Sequence, residues 1–196
     1  SKNTAIFAKL KKARSERIKP STDTKFILAW NALLVSMYSK LFHATDEERY
    51  KFKAVELIDS IQKNFTIDWH CSYFCRTTNL NGDKNGFAFL EDYAYYLDAL
   101  LRTYEISGTE LFLNRTLDLL NILNTLFAER DGIYLITNKL HVDSLAGSID
   151  LKDSSLPNPN AIIASVYFRL YLMLSDKDYY NKFSRMQTSA MSTVHN

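Results

Sequence analysis

Three segments of the chain read as helices that are apolar almost all the way round: residues 26–35 (FILAWNALLV), 86–97 (GFAFLEDYAYYL) and 157–166 (PNPNAIIASV). A helix without a polar face has to be covered on every side, by protein or by lipid. Lipid is the poorer cover here. Glu91, Asp92, Asp98, Arg102 and Arg169 punctuate these helices, and no apolar run reaches the roughly 18 residues of a membrane span. Each segment also carries polar residues at its start: Asp23 and Lys25, Glu91 and Asp92, Asn158 and Asn160. Parallel buried helices would gather such groups at one end of a bundle, where a ligand could bind.

Half-polar helices alternate with the apolar ones. Residues 45–48 (TDEE) predict a helix start with Thr45 as N-cap. The helix that follows puts Tyr50, Ala54, Leu57, Ile58 and Ile61 on one face and turns Lys51, Lys53, Glu56 and Gln62 away. Further amphipathic helices are predicted over 110–127 and from residue 176, the latter carrying Tyr179, Tyr180, Phe183 and Met186. The apolar helices are predicted over 24–42, with Asp23 as cap, over 87–106, with Ser107 and Gly108 as the stop, and from about residue 158. Short β excursions are expected at Tyr73 and Phe74, with an Asn81-Gly82 turn, and over 133–137, followed by an irregular loop over 138–156.

The unit is therefore inner helix, outer helix and β excursion, three times over, at intervals of about 60–70 residues. Five Gly and three Pro are too few for a turn-rich β fold. The pattern predicts an all-α chain forming part of a double-layered α/α ring, with residues 1–196 as one helical domain. A leading helix is expected to bury Ile6, Leu10 and Ala13.

A net charge of +2 is too small to argue for a nucleic-acid surface. Residues 1–25 hold Lys2, Lys9, Lys11, Lys12, Arg14, Arg17, Lys19 and Lys25 against Glu16 and Asp23. A solvated helix face is the favoured reading of this run, over an arm contacting RNA or membrane. Cys71 and Cys75 lack the spacing of a redox or zinc site, so neither a metal nor a cofactor is expected. With no signal peptide or membrane segment, a reduced cytoplasmic protein without nucleic-acid or membrane partners is expected. The chain begins at Ser1 without methionine, which reads as a piece of a longer protein.

The candidate catalytic residues are Glu91, Asp92 and Asp23. Two adjacent carboxylates at the start of an apolar helix cost desolvation unless something pairs or uses them. Two readings stay open. In one, a carboxylate caps the helix and the other pairs with Lys25 or Arg76; in the other, one faces a ligand. Neighbours on a helix point about 100° apart, so at most one faces a central cavity. Candidate ligand-binding residues are Lys25, Trp30, Asn31, Tyr93, Asp153 and Asn160. Trp30 and Tyr93 suit sugar stacking but suit core packing better, and Trp30 is expected in the core. Asn31 and Asn160, in buried helices, need a loop backbone or a ligand as partner.

Three motifs then resemble the spermatogenesis-associated thioredoxin-like family: Pro20, Asp23 and Lys25 followed by Trp30 and Asn31; FLEDYA over 89–94; and Asp153, Pro157, Pro159 and Asn160. They stand in the family's order, and the resemblance covers roughly residues 8–183. The resemblance implies a thioredoxin-like domain followed by a helical toroid akin to six-hairpin glycosidases and sugar epimerases. This chain resembles part of that toroid alone, either its C-terminal portion or the product of a shortened gene. It departs from the family at Ala32, where glycine is usual, and at Asn158 and Ala161, which replace hydroxyls; the thioredoxin domain and redox cysteine pair have no counterpart here.

Two functions follow as expectations. One is a carbohydrate-binding or carbohydrate-processing rim, glycoside hydrolase-like or epimerase-like if catalytic. Inverting hydrolysis asks for two carboxyls roughly 6.5–9.5 Å apart. Epimerisation asks for acid–base groups such as histidine, yet His43, His70, His141 and His195 all fall away from the inner-helix starts. The other is a non-catalytic interaction domain, whose partner is the rest of the toroid or a second subunit.

Overall fold

Inner and outer helices alternate as the apolar and half-polar runs predict. The computed structural model describes residues 2–68, 73–127, 129–130, 132–138, 149, 151–152 and 155–194. In chain order the elements are α1 (Lys2–Ser15), β1 (Phe26–Ile27), α2 (Leu28–Thr45), α3 (Glu48–Phe65), β2 (Thr66–Asp68), β3 (Tyr73–Thr78), β4 (Lys84–Phe87), α4 (Leu90–Ser107), α5 (Glu110–Leu126), β5 (Glu129–Arg130), β6 (Ile133–Tyr134), α6 (Pro159–Leu174) and α7 (Lys177–Val194). The inner helices α2, α4 and α6 form an arc with α4 in the middle, and α3, α5 and α7 pack against them.

Full apolar cover is realised for the middle helix alone. Every residue of α4 is buried or half-buried. Its Tyr93, Tyr95 and Tyr96 are among the largest fully enclosed side chains. At the ends of the arc, α2 and α6 each keep an open side: Trp30, Leu34 and Met37 on α2, and Phe168 and Leu172 on α6, are exposed. The expectation that Trp30 is core is thus overturned, because it sits on a side of α2 that no other described helix covers. The outer helix α3 follows its predicted pattern, burying Ala54, Ile58, Ile61 and Phe65.

Three sequence expectations are corrected. The α1 stripe is not buried: Ile6 is 55% and Leu10 60% exposed, and Ala13 lies in the uniformly exposed run over residues 3–26. Cations at Lys9, Lys11, Lys12 and Arg14 interrupt that helix, and covering it would desolvate them. Asp23 does not cap α2, whose N-cap is Ile27. The two preceding residues are drawn into β1, pairing Phe26 with Thr78 and Ile27 with Thr77 of β3. Thr45 likewise closes α2 instead of opening α3, its hydroxyl donating to the Leu41 carbonyl at 2.7 Å.

Strand β3 is the hub of the β excursion, pairing antiparallel with β1, β2 and β4. The Asn81-Gly82 turn forms as predicted: Asn79 Oδ1 accepts the Asn81 and Asp83 amides, and Gly82 takes φ +83°. The β5–β6 hairpin lies against α7. At Gly132 (φ +88°) an added Cβ would stand 3.3 Å from the Met186 amide nitrogen, so only glycine fits both the turn and the approach.

A polar tie crosses all three inner helices. Asp98 of α4 accepts from Ser36 Oγ of α2 at 3.0 Å, from Arg102 Nε at 2.7 Å and from an Arg169 guanidinium nitrogen of α6 at 2.6 Å. Arg169 also grips Glu105 with two bonds at 2.9 and 2.5 Å. The charges that punctuate the apolar runs therefore neutralise one another where the helices meet.

Candidate functional site

The N-termini of α2, α4 and α6 lie at one rim, and hydrogen bonds between them show how. Asp92, at the third position of α4, is fully buried. Its Oδ1 accepts the Ala29 amide of α2 at 3.0 Å. Its Oδ2 accepts the Phe89 amide at the start of its own helix at 2.9 Å. One side chain thus caps two helix N-termini, where the macrodipoles also favour an anion. Burial pushes the Asp92 carboxyl up to about 6, against the opposing pull of the Arg76 guanidinium. On the other side of α4, the Tyr95 hydroxyl donates to the Pro157 carbonyl just before α6 at 2.5 Å.

Glu91, one residue earlier, points elsewhere, as 100° per residue requires. It is half-buried and pairs with Arg76 of β3 at 2.6 Å. Arg76 also reaches Asp92 at 3.3 Å and lies 4.6 Å from the Phe89 ring centroid. Beside this pair opens a pocket of about 270 Å³, walled by Arg76, Phe89, Glu91, Tyr95, Lys152 and Asn158 among others. It is small for a ligand site, large enough for one compact molecule. Glu91 is the one carboxylate in its described lining.

The third helix start is tied down by asparagines. Asn158 Oδ1 accepts the Asn160 and Ala161 amides at 2.9 and 3.4 Å and caps α6, with Pro159 in the first turn. Asn160, 3% exposed, accepts from the Tyr134 amide at 2.9 Å and donates to the Tyr134 carbonyl at 3.0 Å. Of the two partners the sequence left open for Asn160, a loop backbone and a ligand, the backbone is in place.

The remaining candidates are dispersed. Asp23 is exposed and occupied with Lys25, accepting its amide at 3.1 Å and pairing with its ammonium at 3.3 Å. Neither lines the pocket beside Glu91. Asn31 donates to the Ile27 carbonyl one turn back at 2.8 Å. Tyr93 is enclosed by Phe74 and Phe127 in edge-to-face contacts at 5.5 and 5.3 Å, and burial raises its hydroxyl pKa. Asp153, His70, His141 and His195 lie outside the described residues. His43 is exposed in the last turn of α2. Phe89, Lys152 and Asn158 join the pocket although the sequence did not mark them as ligand-binding. For Asn158 the signal was present, since Asn before Pro at a helix start is a capping pattern.

An arc of inner helices with shared N-terminal rim, backed by outer helices, is part of an α/α toroid. No family model matches the chain. It is 27% identical over 174 residues to an uncharacterised protein of Caenorhabditis elegans, covering 87% of this chain and 24% of that protein. To human spermatogenesis-associated protein 20 it is 27% identical over 183 residues, covering 89% of this chain and 23% of that one. The resemblance carried by the three motifs is thus matched by similarity along most of the chain. The chain spans about a quarter of the length of these relatives.

Solved structures show the same fold. A D-mannose isomerase superposes with a TM-score of 0.65 at 13% identity, over 83% of this chain and 40% of the enzyme. A GH76 alpha-mannanase of Bacteroides thetaiotaomicron gives 0.65 at 13%, over 91% and 46%. Cellobiose 2-epimerase of Spirochaeta thermophila gives 0.62 at 15%, over 85% and 43%. No described helix is long and apolar enough to cross a membrane.

Proposed function

We propose that the chain is a toroid segment whose N-terminal rim binds a compact carbohydrate in the pocket beside Glu91. The observation that carries this reading is the Glu91–Arg76 pair in a pocket of about 270 Å³ at the meeting of two inner-helix starts. A carboxylate and a guanidinium side by side offer the acceptors and donors that sugar hydroxyls require, and Phe89 supplies an apolar wall. The fold's neighbours, which include a mannose isomerase, an alpha-mannanase and a cellobiose epimerase, support the substrate class by analogy of fold.

Binding is favoured over chemistry. Asp92 is spent on two backbone amides and Arg76, which leaves Glu91 without a second pocket carboxylate among the described residues. Hydrolysis at this rim would need that partner from elsewhere in a longer protein. The test is a titration of the chain, and of the full-length protein containing it, with D-mannose, cellobiose and an α-mannan oligosaccharide. Saturable binding weakened by Glu91→Gln is expected. No binding by either protein refutes the reading.

The second reading, a non-catalytic interaction domain completed by further toroid or by another subunit, is supported by the exposed Trp30, Leu34 and Met37 on α2.

A further inference from the structure

The two ends of the arc differ in shape. On α2, Trp30, Leu34 and Met37 are exposed by 61%, 37% and 42% at positions i, i+4 and i+7, one stripe along one side of the helix. Lys40, the single Lys, Arg, Asp or Glu of α2, is exposed one turn beyond Met37 and borders the stripe at its C-terminal end. At the other end, α6 and α7 enclose a groove of about 500 Å³, lined by Ala161, Ala164 and Phe168 from α6 and by Phe183, Met186 and Met191 from α7. No charged side chain is in its described lining. Small residues on one wall admit a neighbouring helix closely, and methionines on the other adapt to its shape.

We infer that these surfaces are partners between two copies of the chain. The Trp30–Leu34–Met37 stripe of one copy seats in the α6–α7 groove of a second, and the stripe of the second returns to the groove of the first. Helix-in-groove docking uses anchors at this i, i+4, i+7 spacing. A head-to-tail contact closes when the rotation between copies allows it, and two copies then form a ring. The arc has the length for this: it covers 40% to 46% of the solved toroids, so two arcs come close to one full ring.

Charge selects the occupant. Another exposed apolar set, Ile6, Phe7 and Leu10 on α1, shares its helix with Lys9, Lys11, Lys12 and Arg14. Pressing α1 into an uncharged groove would strip water from those cations without offering an anion. The α2 stripe carries less of that cost, with Lys40 alone at its end against Lys9, Lys11, Lys12 and Arg14 on α1. Three free apolar anchors on one helix also exceed what a scattered surface needs.

The inference does not rest on carbohydrate binding at the rim, and its test uses neither Glu91 nor Arg76. Light scattering after size-exclusion chromatography should give twice the 22.7 kDa of one chain. Leu34→Glu on the stripe and Ser165→Glu on the groove wall are surface changes, so the circular dichroism spectrum should stay near wild type while each variant alone runs as a monomer. Mixing the two variants should restore a two-chain species, because one unaltered stripe then meets one unaltered groove. A wild-type chain that stays monomeric across a wide concentration series overturns the inference. So does a dimer that survives either substitution, or a mixture that stays monomeric, which would point to a symmetric contact or to helices of a longer polypeptide as the natural cover.

Discussion

Asp92→Ala should be among the most damaging single changes at the rim, although the residue does not face the pocket. It strands the Ala29 and Phe89 amides, which Asp92 accepts at 3.0 and 2.9 Å. Each buried amide left without an acceptor costs about 1–3 kcal/mol. Arg76 loses its 3.3 Å contact but keeps Glu91 at 2.6 Å, so its guanidinium is not orphaned. That places the loss at the lower end of the range for breaking a buried ionic cluster, about 3–4 kcal/mol. For a chain of this size it corresponds to a Tm fall of roughly 6–15 °C. Urea unfolding followed by circular dichroism and by fluorescence measures it. Glu91→Ala is the control: a half-exposed ion pair contributes about 1 kcal/mol or less. The clamp argument fails if Asp92→Ala loses less than about 1 kcal/mol, or if Glu91→Ala costs as much.

Acid should stabilise the Asp92 site. Its folded pKa of about 6 lies above the ordinary aspartate value of 3.8, so this contribution is fully present below about 3.8 and is lost as pH rises through about 6. Unfolding free energies of wild type and Asp92→Asn measured across that window should diverge toward low pH, and parallel curves would refute the assignment. Arg169→Met should cost about 3–5 kcal/mol in chemical denaturation, because it leaves Asp98 and Glu105 facing each other with less compensation. Gly132→Ala should lower stability by more than about 1 kcal/mol, since its φ of +88° and the 3.3 Å approach to Met186 both exclude a methyl group.

The architecture was legible because α4 is apolar on every side and α3 on one side only. Those two patterns differ in what must surround them, and together they demand two layers. Which inner helix ends the arc is a different matter. Residues 26–35 and 86–97 are similarly apolar, yet Trp30 faces outward and Tyr93 faces the core, because cover depends on neighbours that a local pattern does not name. Asp23 failed as a cap for a related reason. The pull of β3 on Phe26 and Ile27 is a long-range pairing, whereas capping rules see only adjacent residues. The rim was half legible. Two adjacent carboxylates announced that one would turn inward, but the choice of Asp92 came from an α2 amide 63 residues earlier. Arg76 was one of two cations the sequence offered as a partner, with Lys25, and the structure pairs it with Glu91 at 2.6 Å.

The tie through Asp98 bears on the order in which the chain acquires its structure. Arg169 follows Asp98 by 71 residues and Glu105 by 64. During synthesis, α2 and α4 emerge well before the cation that neutralises the far side of α4. Until α6 arrives, the two carboxylates of this tie, Asp98 and Glu105, have Arg102 as the single cation on their own helix. A nascent chain stopped after α5 should therefore hold α4 more loosely than one in which Arg169 of α6 has reached Asp98 and Glu105.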